Sequence, residues 1–166
     1  MVKYCSTAIT FAEVPDEVSL SIQITNCQNR CKGCHSPFLR DDFGEDLEKD
    51  LPNLLERYKL QITCVCFMGE GNDILGLQRC IDLVKKYNLK TCVYSGEDTG
   101  EYTWYLNLDY LKVGPYIPER GGLNNKYTNQ RMYKITDTFD KNKMYTKFED
   151  ITYKFWPKEL EEDYES

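Results

Sequence analysis

Cys27, Cys31 and Cys34 are spaced C-x3-C-x2-C, three thiols within eight residues. Soft thiolates this close in sequence can wrap one polynuclear iron site. Three ligands on a four-iron cube leave one iron without a protein donor. An open iron can bind and activate a substrate, whereas a cube held by four cysteines mostly carries electrons. The competing reading is a zinc site made from these cysteines and His35, the only histidine of the chain. His35 directly follows Cys34, and adjacent side chains rarely reach one tetrahedral metal together; zinc ligands usually come as separated pairs. A support or loop role suits His35 better than ligation. The remaining cysteines, Cys5, Cys64, Cys66, Cys80 and Cys92, read as small apolar core residues.

The elements around the triplet should position it. Tyr4 to Val14 reads as extended, and Pro15-Asp16-Glu17 makes a turn. Val18 to Thr25 alternates Leu20, Ile22 and Ile24 against Ser19, Ser21 and Gln23, the pattern of a strand running straight into Cys27. Asp50 and Pro52 signal the start of a helix with Leu51, Leu54, Leu55 and Tyr58 on one stripe. Ile62 to Met68 predicts a strand buried on both faces. Asn72-Asp73 caps a helix that carries Ile74, Leu77, Ile81 and Val84 and ends at Asn88. Lys90 to Tyr94 and Tyr110 to Val113 read as further strands with a short helix between them, and Asp150 to Trp156 as a last edge strand. This alternation predicts an α/β fold with a parallel sheet. In such a sheet the cysteine segment, Gly69-Glu70-Gly71 and Ser95-Gly96 all follow strands and should meet at one edge, as a shared site.

The chain has 166 residues, 41% of them hydrophobic and 13% aromatic, which suits one globular domain over 1–166. The formal net charge of -6 and the lack of any Lys/Arg-rich run argue against nucleic acid as a partner. Residues 158–166 read as a solvated acidic tail. No apolar stretch is long enough to span a membrane. No basic region followed by an apolar core opens the chain, so the expected compartment is the cytoplasm, where thiols stay reduced.

At this point the residues resemble a known group. C-x3-C-x2-C after the first core strand resembles the signature of the radical S-adenosylmethionine (SAM) superfamily. Asn26 to Pro37 (NCQNRCKGCHSP), Gly114-Pro115-Tyr116-Ile117 and Thr128-Asn129-Gln130-Arg131, in this order, are similar to the activating enzymes of anaerobic, class III ribonucleotide reductases. The likeness runs from Tyr4 to Trp156 and includes Gly33, where many superfamily members have an aromatic. It implies a partial (β/α) barrel of the radical-SAM type. It implies a [4Fe–4S] cluster on Cys27, Cys31 and Cys34, with SAM chelated at the open iron. One electron from a low-potential donor would then cleave SAM to methionine and a 5′-deoxyadenosyl radical. That radical takes hydrogen from a glycine in the C-terminal segment of the large reductase subunit, the expected partner.

The same resemblance assigns SAM contacts. Met68-Gly69-Glu70 is similar to the superfamily's Gly-Gly-Glu segment, so Gly69 and Glu70 would meet the methionine ammonium. Ser95 would bond the ribose or the methionine carboxylate, and Arg131 a carboxylate of SAM or of the partner. Read from the residues alone, Glu70 also suits a solvated loop acid, Ser95 a plain turn and Arg131 a loop-stabilising network. Many such activases carry Asp before the glycine of the Gly-Pro segment; this chain has Val113, preceded by Lys112. Two alternatives stand beside this reading. One is an activase of another glycyl-radical enzyme or a small-molecule radical SAM enzyme. The other is a non-catalytic zinc-binding interaction module.

Overall fold

A computed structural model of the chain describes residues 1–28, 37–97 and 107–157. Cys31, Gly33, Cys34 and His35, the expected short helix around 98–106 and the acidic tail 158–166 lie outside the described residues.

The chain builds one sheet and covers one of its faces with two helices. The elements in chain order are β1 (Lys3–Thr10), β2 (Ser19–Ile24), β3 (Glu45–Asp46), α1 (Leu47–Tyr58), β4 (Cys64–Met68), α2 (Ile74–Lys86), β5 (Lys90–Tyr94), β6 (Tyr110–Val113), β7 (Arg131–Asp140) and β8 (Lys143–Asp150). The sheet is eight-stranded, in the order β3-β1-β2-β4-β5-β6-β7-β8. β2, β4, β5 and β6 run parallel, while β1 and β3 on one side and β7 and β8 on the other pair antiparallel.

This overturns the expected partial barrel. Parallel pairing stops at β6. The irregular stretch after Gly114 brings the chain back to the edge it has just left, so β7 has to run antiparallel. β8 then follows by a two-residue turn rather than by a helical crossover. Among the described residues there are two α-helices, and β3 and β8 end the sheet without meeting. The molecule is a mixed, mostly β sheet with a parallel centre.

Each face of the sheet has its own apolar layer. Leu20, Ile22 and Ile24 of β2, Val65 and Phe67 of β4, Val93 of β5 and Leu111 of β6 point to the helices. There they meet Leu47, Leu51 and Leu55 of α1 and Leu77, Cys80, Ile81 and Val84 of α2. Each such aliphatic side chain taken fully from water contributes about 1.5–3 kcal/mol. The helices are also tied to one another by the Arg79 guanidinium, which donates to both Glu48 oxygens at 2.8 and 2.9 Å. The opposite face carries Cys64, Cys66, Cys92, Tyr110 and Met132, covered by Val14 and Ile151 with Leu123 and Phe155 beside them.

Local signals explain most boundaries. Asp73 caps α2 by accepting the Gly76 N–H at 2.9 Å, and Asn88 (φ 56°) takes the left-handed position that ends it. α1 begins before the expected Asp50, because Asp46 is its cap, and so Pro52 lies inside the helix rather than in its first turn. The strand expected over Asp150–Trp156 is instead a 3-10 turn at Thr152–Phe155, with Thr152 buried and Tyr153 exposed. The apparent alternation of Ile151, Tyr153 and Phe155 is not a strand face.

Candidate functional site

The site grows out of the parallel centre of the sheet. Gln23, Met68, Tyr94 and Lys112 stand side by side in register on β2, β4, β5 and β6. Whatever follows these residues leaves the sheet at one edge. That edge therefore collects Asn26-Cys27, Gly69-Glu70-Gly71, Ser95-Gly96 and Gly114-Pro115. β7 enters from the same edge, with Arg131 opposite Val113. The meeting of these segments expected from the sequence is what the register gives.

Cys27 is half-buried at the exit of β2. Before it, Asn26 adopts a left-handed conformation (φ 61°) that turns the chain sharply off the strand. The turn is fastened to the returning segment. The Asn26 N–H donates to the Asp41 carbonyl at 3.2 Å and the Cys27 N–H to the Leu39 carbonyl at 2.8 Å. The Asn26 side-chain amide donates to Asp42 at 3.1 Å, and the Thr25 hydroxyl donates to the Phe43 carbonyl at 2.7 Å. Chain leaving at Cys27 and chain returning at Leu39 are thus clamped together, and Cys31 and Cys34 fall between them in sequence. Among the described residues no group of three or more His, Cys, Asp or Glu side chains could hold a metal, and two of the three motif thiols lie outside those residues. Three thiolates within eight residues, in a segment whose two ends are held together, suit the donor set of an iron–sulfur cluster.

β4 leaves the sheet through Gly69 (φ 118°) and Gly71 (φ 68°), with the half-buried Glu70 between them. A Cβ on Gly71 would stand 3.0 Å from Ile24 Cγ2 and 3.3 Å from the Thr25 carbonyl oxygen. The two glycines let the exits of β2 and β4 lie against each other and hold Glu70 next to the strand that delivers Cys27.

Ser95 is fully buried, and its Oγ accepts the Glu97 N–H at 3.0 Å, the role of a turn residue. Lys112 is the residue whose part the sequence reading did not foresee. It is 8% exposed, and its ammonium donates to the Ser95 carbonyl at 3.2 Å and the Gly114 carbonyl at 2.8 Å. It also lies 5.9 Å from the centre of the Tyr94 ring. The available signal was a lysine inside the apolar run Tyr110–Val113. Asn129 and Gln130 serve the same loop: Asn129 Nδ2 donates to the Pro115 carbonyl at 3.0 Å and Gln130 Nε2 to the Gly114 carbonyl at 3.4 Å. Arg131 stands at the same edge with its guanidinium 3.6 Å from the Asp150 carboxylate.

Four of the five cysteines outside the motif are core residues as expected, and Cys5 is not. Cys64, Cys66, Cys80 and Cys92 are buried, and Cys5 is half-buried on β1. Burial pushes the Cys80 thiol up to about 12 and the thiols of Cys64 and Cys92 well above their ordinary value. Cys66 Sγ rests 3.5 Å from Met68 Sδ. The raised thiols of Cys64, Cys80 and Cys92 stay protonated near neutral pH, which makes them poor nucleophiles and poor metal donors.

Among the described residues no helix is long and apolar enough to cross a membrane. Comparison of the chain with protein-family models, with curated proteins and with solved structures gives no match.

Proposed function

We propose that this protein cleaves SAM reductively at a [4Fe–4S] cluster held by Cys27, Cys31 and Cys34, and that it does so to place a glycyl radical on a partner enzyme. The observation that most supports this reading is the position of Cys27. The first motif cysteine leaves β2 at the edge where three further parallel strands deliver Gly69-Glu70, Ser95 and Gly114. Ligands of open α/β sheets bind outside the carboxyl ends of the strands, and a side-chain-poor rim there leaves room for one.

A cluster held by Cys27, Cys31 and Cys34 would supply the single electron that reductive cleavage of the SAM sulfonium needs. The chain's own residues bind, orient and shield. The Glu70 carboxylate is the group on this edge suited to the methionine ammonium, and Gly69 leaves backbone open beside it. Arg131 offers a guanidinium to a carboxylate of SAM or of the partner, in competition with Asp150. Ser95 contributes through the turn that it and Lys112 fix at the end of β5. Gly33, between the last two cysteines in sequence, adds no side chain there. The partner proposed from the resemblance is the large subunit of an anaerobic ribonucleotide reductase, with a low-potential protein as electron donor.

The test is anaerobic reconstitution with iron and sulfide, followed by SAM and strong reductant. About four irons and four sulfides per chain, and 5′-deoxyadenosine release that disappears in Cys27→Ala, Cys31→Ala and Cys34→Ala but survives in Cys80→Ala, support the reading. One tightly held zinc and no 5′-deoxyadenosine would refute it in favour of a zinc-binding module. A glycyl electron paramagnetic resonance signal with a candidate reductase tests the partner separately.

A further inference from the structure

β8 is the terminal strand of the sheet, and beyond Ile135 its strand neighbour β7 has no pairing with β6. β7 and β8 thus project as a two-stranded arm. All eight residues of β8 are exposed, including Met144 at 62%, Tyr145 at 53% and Phe148 at 44%. A ribbon of two strands is marginally stable alone, and an uncovered edge bearing large apolar side chains is a template for another strand.

The turn decides which backbone groups that edge offers. Lys141 and Asn142 both have positive φ, 50° and 67°, which makes a two-residue hairpin turn flanked by the pair Asp140 and Lys143. Residues flanking such a turn exchange hydrogen bonds, and the pattern then alternates along the strand. Lys143, Tyr145, Lys147 and Glu149 therefore bond toward β7, while Met144, Thr146 and Phe148 present their N–H and C=O groups outward.

We propose that this edge pairs with the same edge of a second copy of the chain, antiparallel, about a two-fold axis at Thr146. Two-fold symmetry sets residue i opposite j and j opposite i. With Thr146 opposite itself, Met144 faces Phe148 of the other copy, Tyr145 faces Lys147, and Lys143 faces Glu149, each twice. One face of the new ladder is apolar around the paired threonines. The other joins lysine to glutamate and lysine to an aromatic ring. Lysines normally protect an edge against pairing; in this register both find complementary partners. The outward groups of Met144, Thr146 and Phe148 are the ones the ladder needs. An axis moved to Met144 or Phe148 overlaps a shorter part of the strand, and an axis at Lys147 would oppose that lysine to itself.

The experiment is light scattering and sedimentation of the full chain in reducing buffer from low micromolar to about 100 µM, a range suited to a small, exchanging interface. The expected mass rises toward twice 19.5 kDa with concentration. Thr146→Pro removes an outward N–H that β7 does not use and should leave a monomer with an unchanged far-ultraviolet spectrum. Lys143→Glu sets two glutamates against each other and should weaken the dimer at least tenfold; adding Glu149→Lys should restore it. A chain that stays monomeric over the whole range overturns the proposal. So does a dimer that is indifferent to both Thr146→Pro and Lys143→Glu, and the pair of charge variants decides the matter should the proline variant misfold.

Discussion

Glu17 lies at the end of the parallel strands remote from the candidate site, so removing it tests the sheet separately from the chemistry. It is 7% exposed just before β2. Its Oε1 accepts from Lys90 Nζ at 2.6 Å and from the Tyr110 hydroxyl at 3.0 Å, and its Oε2 accepts from the Thr63 hydroxyl. One carboxylate thus joins the approach to β4 with β5 and β6. Glu17→Ala leaves the Tyr110 hydroxyl, 3% exposed as a residue, without this acceptor, a loss of about 1–3 kcal/mol. The Lys90 side chain is 51% exposed and regains water, so that ion pair adds at most about 1 kcal/mol. The expected loss is about 2–3 kcal/mol, or about 5–10 °C in melting temperature for a chain of this length. Urea unfolding in reducing buffer at pH 7 measures it. Glu17→Gln keeps an oxygen acceptor and should recover about half of the loss. A Glu17→Ala change below about 0.5 kcal/mol would refute the argument, since that is the range of ordinary surface substitutions.

The same residue makes a signed prediction with pH. Burial pushes the Glu17 carboxyl up, but hydrogen bonds from Lys90, Thr63 and Tyr110 together hold it below its ordinary value of 4.5. A carboxyl lowered by folding stabilises the fold fully above its unfolded value, and that contribution is lost as pH falls through the folded value. The stability gap between wild type and Glu17→Ala should therefore be complete at neutral pH and close on acidification below 4.5. A gap that grew in acid would contradict the assigned bonding.

Two further outcomes follow from particular contacts. In the native protein Cys64, Cys66, Cys80 and Cys92 should escape a thiol-reactive maleimide and label only in denaturant, as read by peptide mass spectrometry; native labelling of Cys92 as fast as Cys27 would contradict its burial and raised thiol value. Gly114→Ala should cost about 1–3 kcal/mol in urea melts, because φ is 106° there and the new Cβ would stand 3.1 Å from Gln130 Cα; a neutral result would mean that the loop shifts freely.

What could be read from the residues was the centre of the sheet. Lys90–Tyr94 and Tyr110–Val113 are strands at the expected residues, and β2, β4 and α2 differ only at their ends. In these segments side-chain period, caps and turn residues all point the same way. The flanks were not legible for a physical reason. β8 is exposed along its whole length and β7 has buried residues at Met132 and Ile135, so neither shows the alternation that separates a strand from a loop, and Lys141-Asn142 lacks the glycine that usually marks such a turn. The barrel expectation came from the family resemblance, and it fails past Gly114, where the chain turns back on itself. Of the site, the gathering of segments at one edge was legible, because parallel topology alone imposes it. The role of Lys112 was not, because it depends on which carbonyls lie within reach; a turn at Ser95 was among the readings of that residue.

Lys112 shows how this edge is organised. A buried ammonium needs acceptors, and here two backbone carbonyls from separate strand exits provide them, Ser95 at the end of β5 and Gly114 at the end of β6. The Ser95 N–H donates back to the Lys112 carbonyl at 2.8 Å, and the Gly114 N–H donates to the Glu97 carbonyl at 2.6 Å. Asn129 and Gln130 bind Pro115 and Gly114 from the far side. Two of the loops that frame the candidate site are therefore fastened by groups already engaged with one another. β2 and β4 leave the sheet differently, through Asn26, Gly69 and Gly71 in left-handed or otherwise positive-φ conformations. One half of the edge is thus stiffened by a buried cation and side-chain amides. The other half turns through positive-φ backbone, with Thr25 and Asn26 side chains fastening the β2 exit, and carries Cys27 and Glu70, the residues proposed to hold the cluster and its ligand. That division puts the groups proposed to bind on the half whose strand exits turn through positive-φ residues.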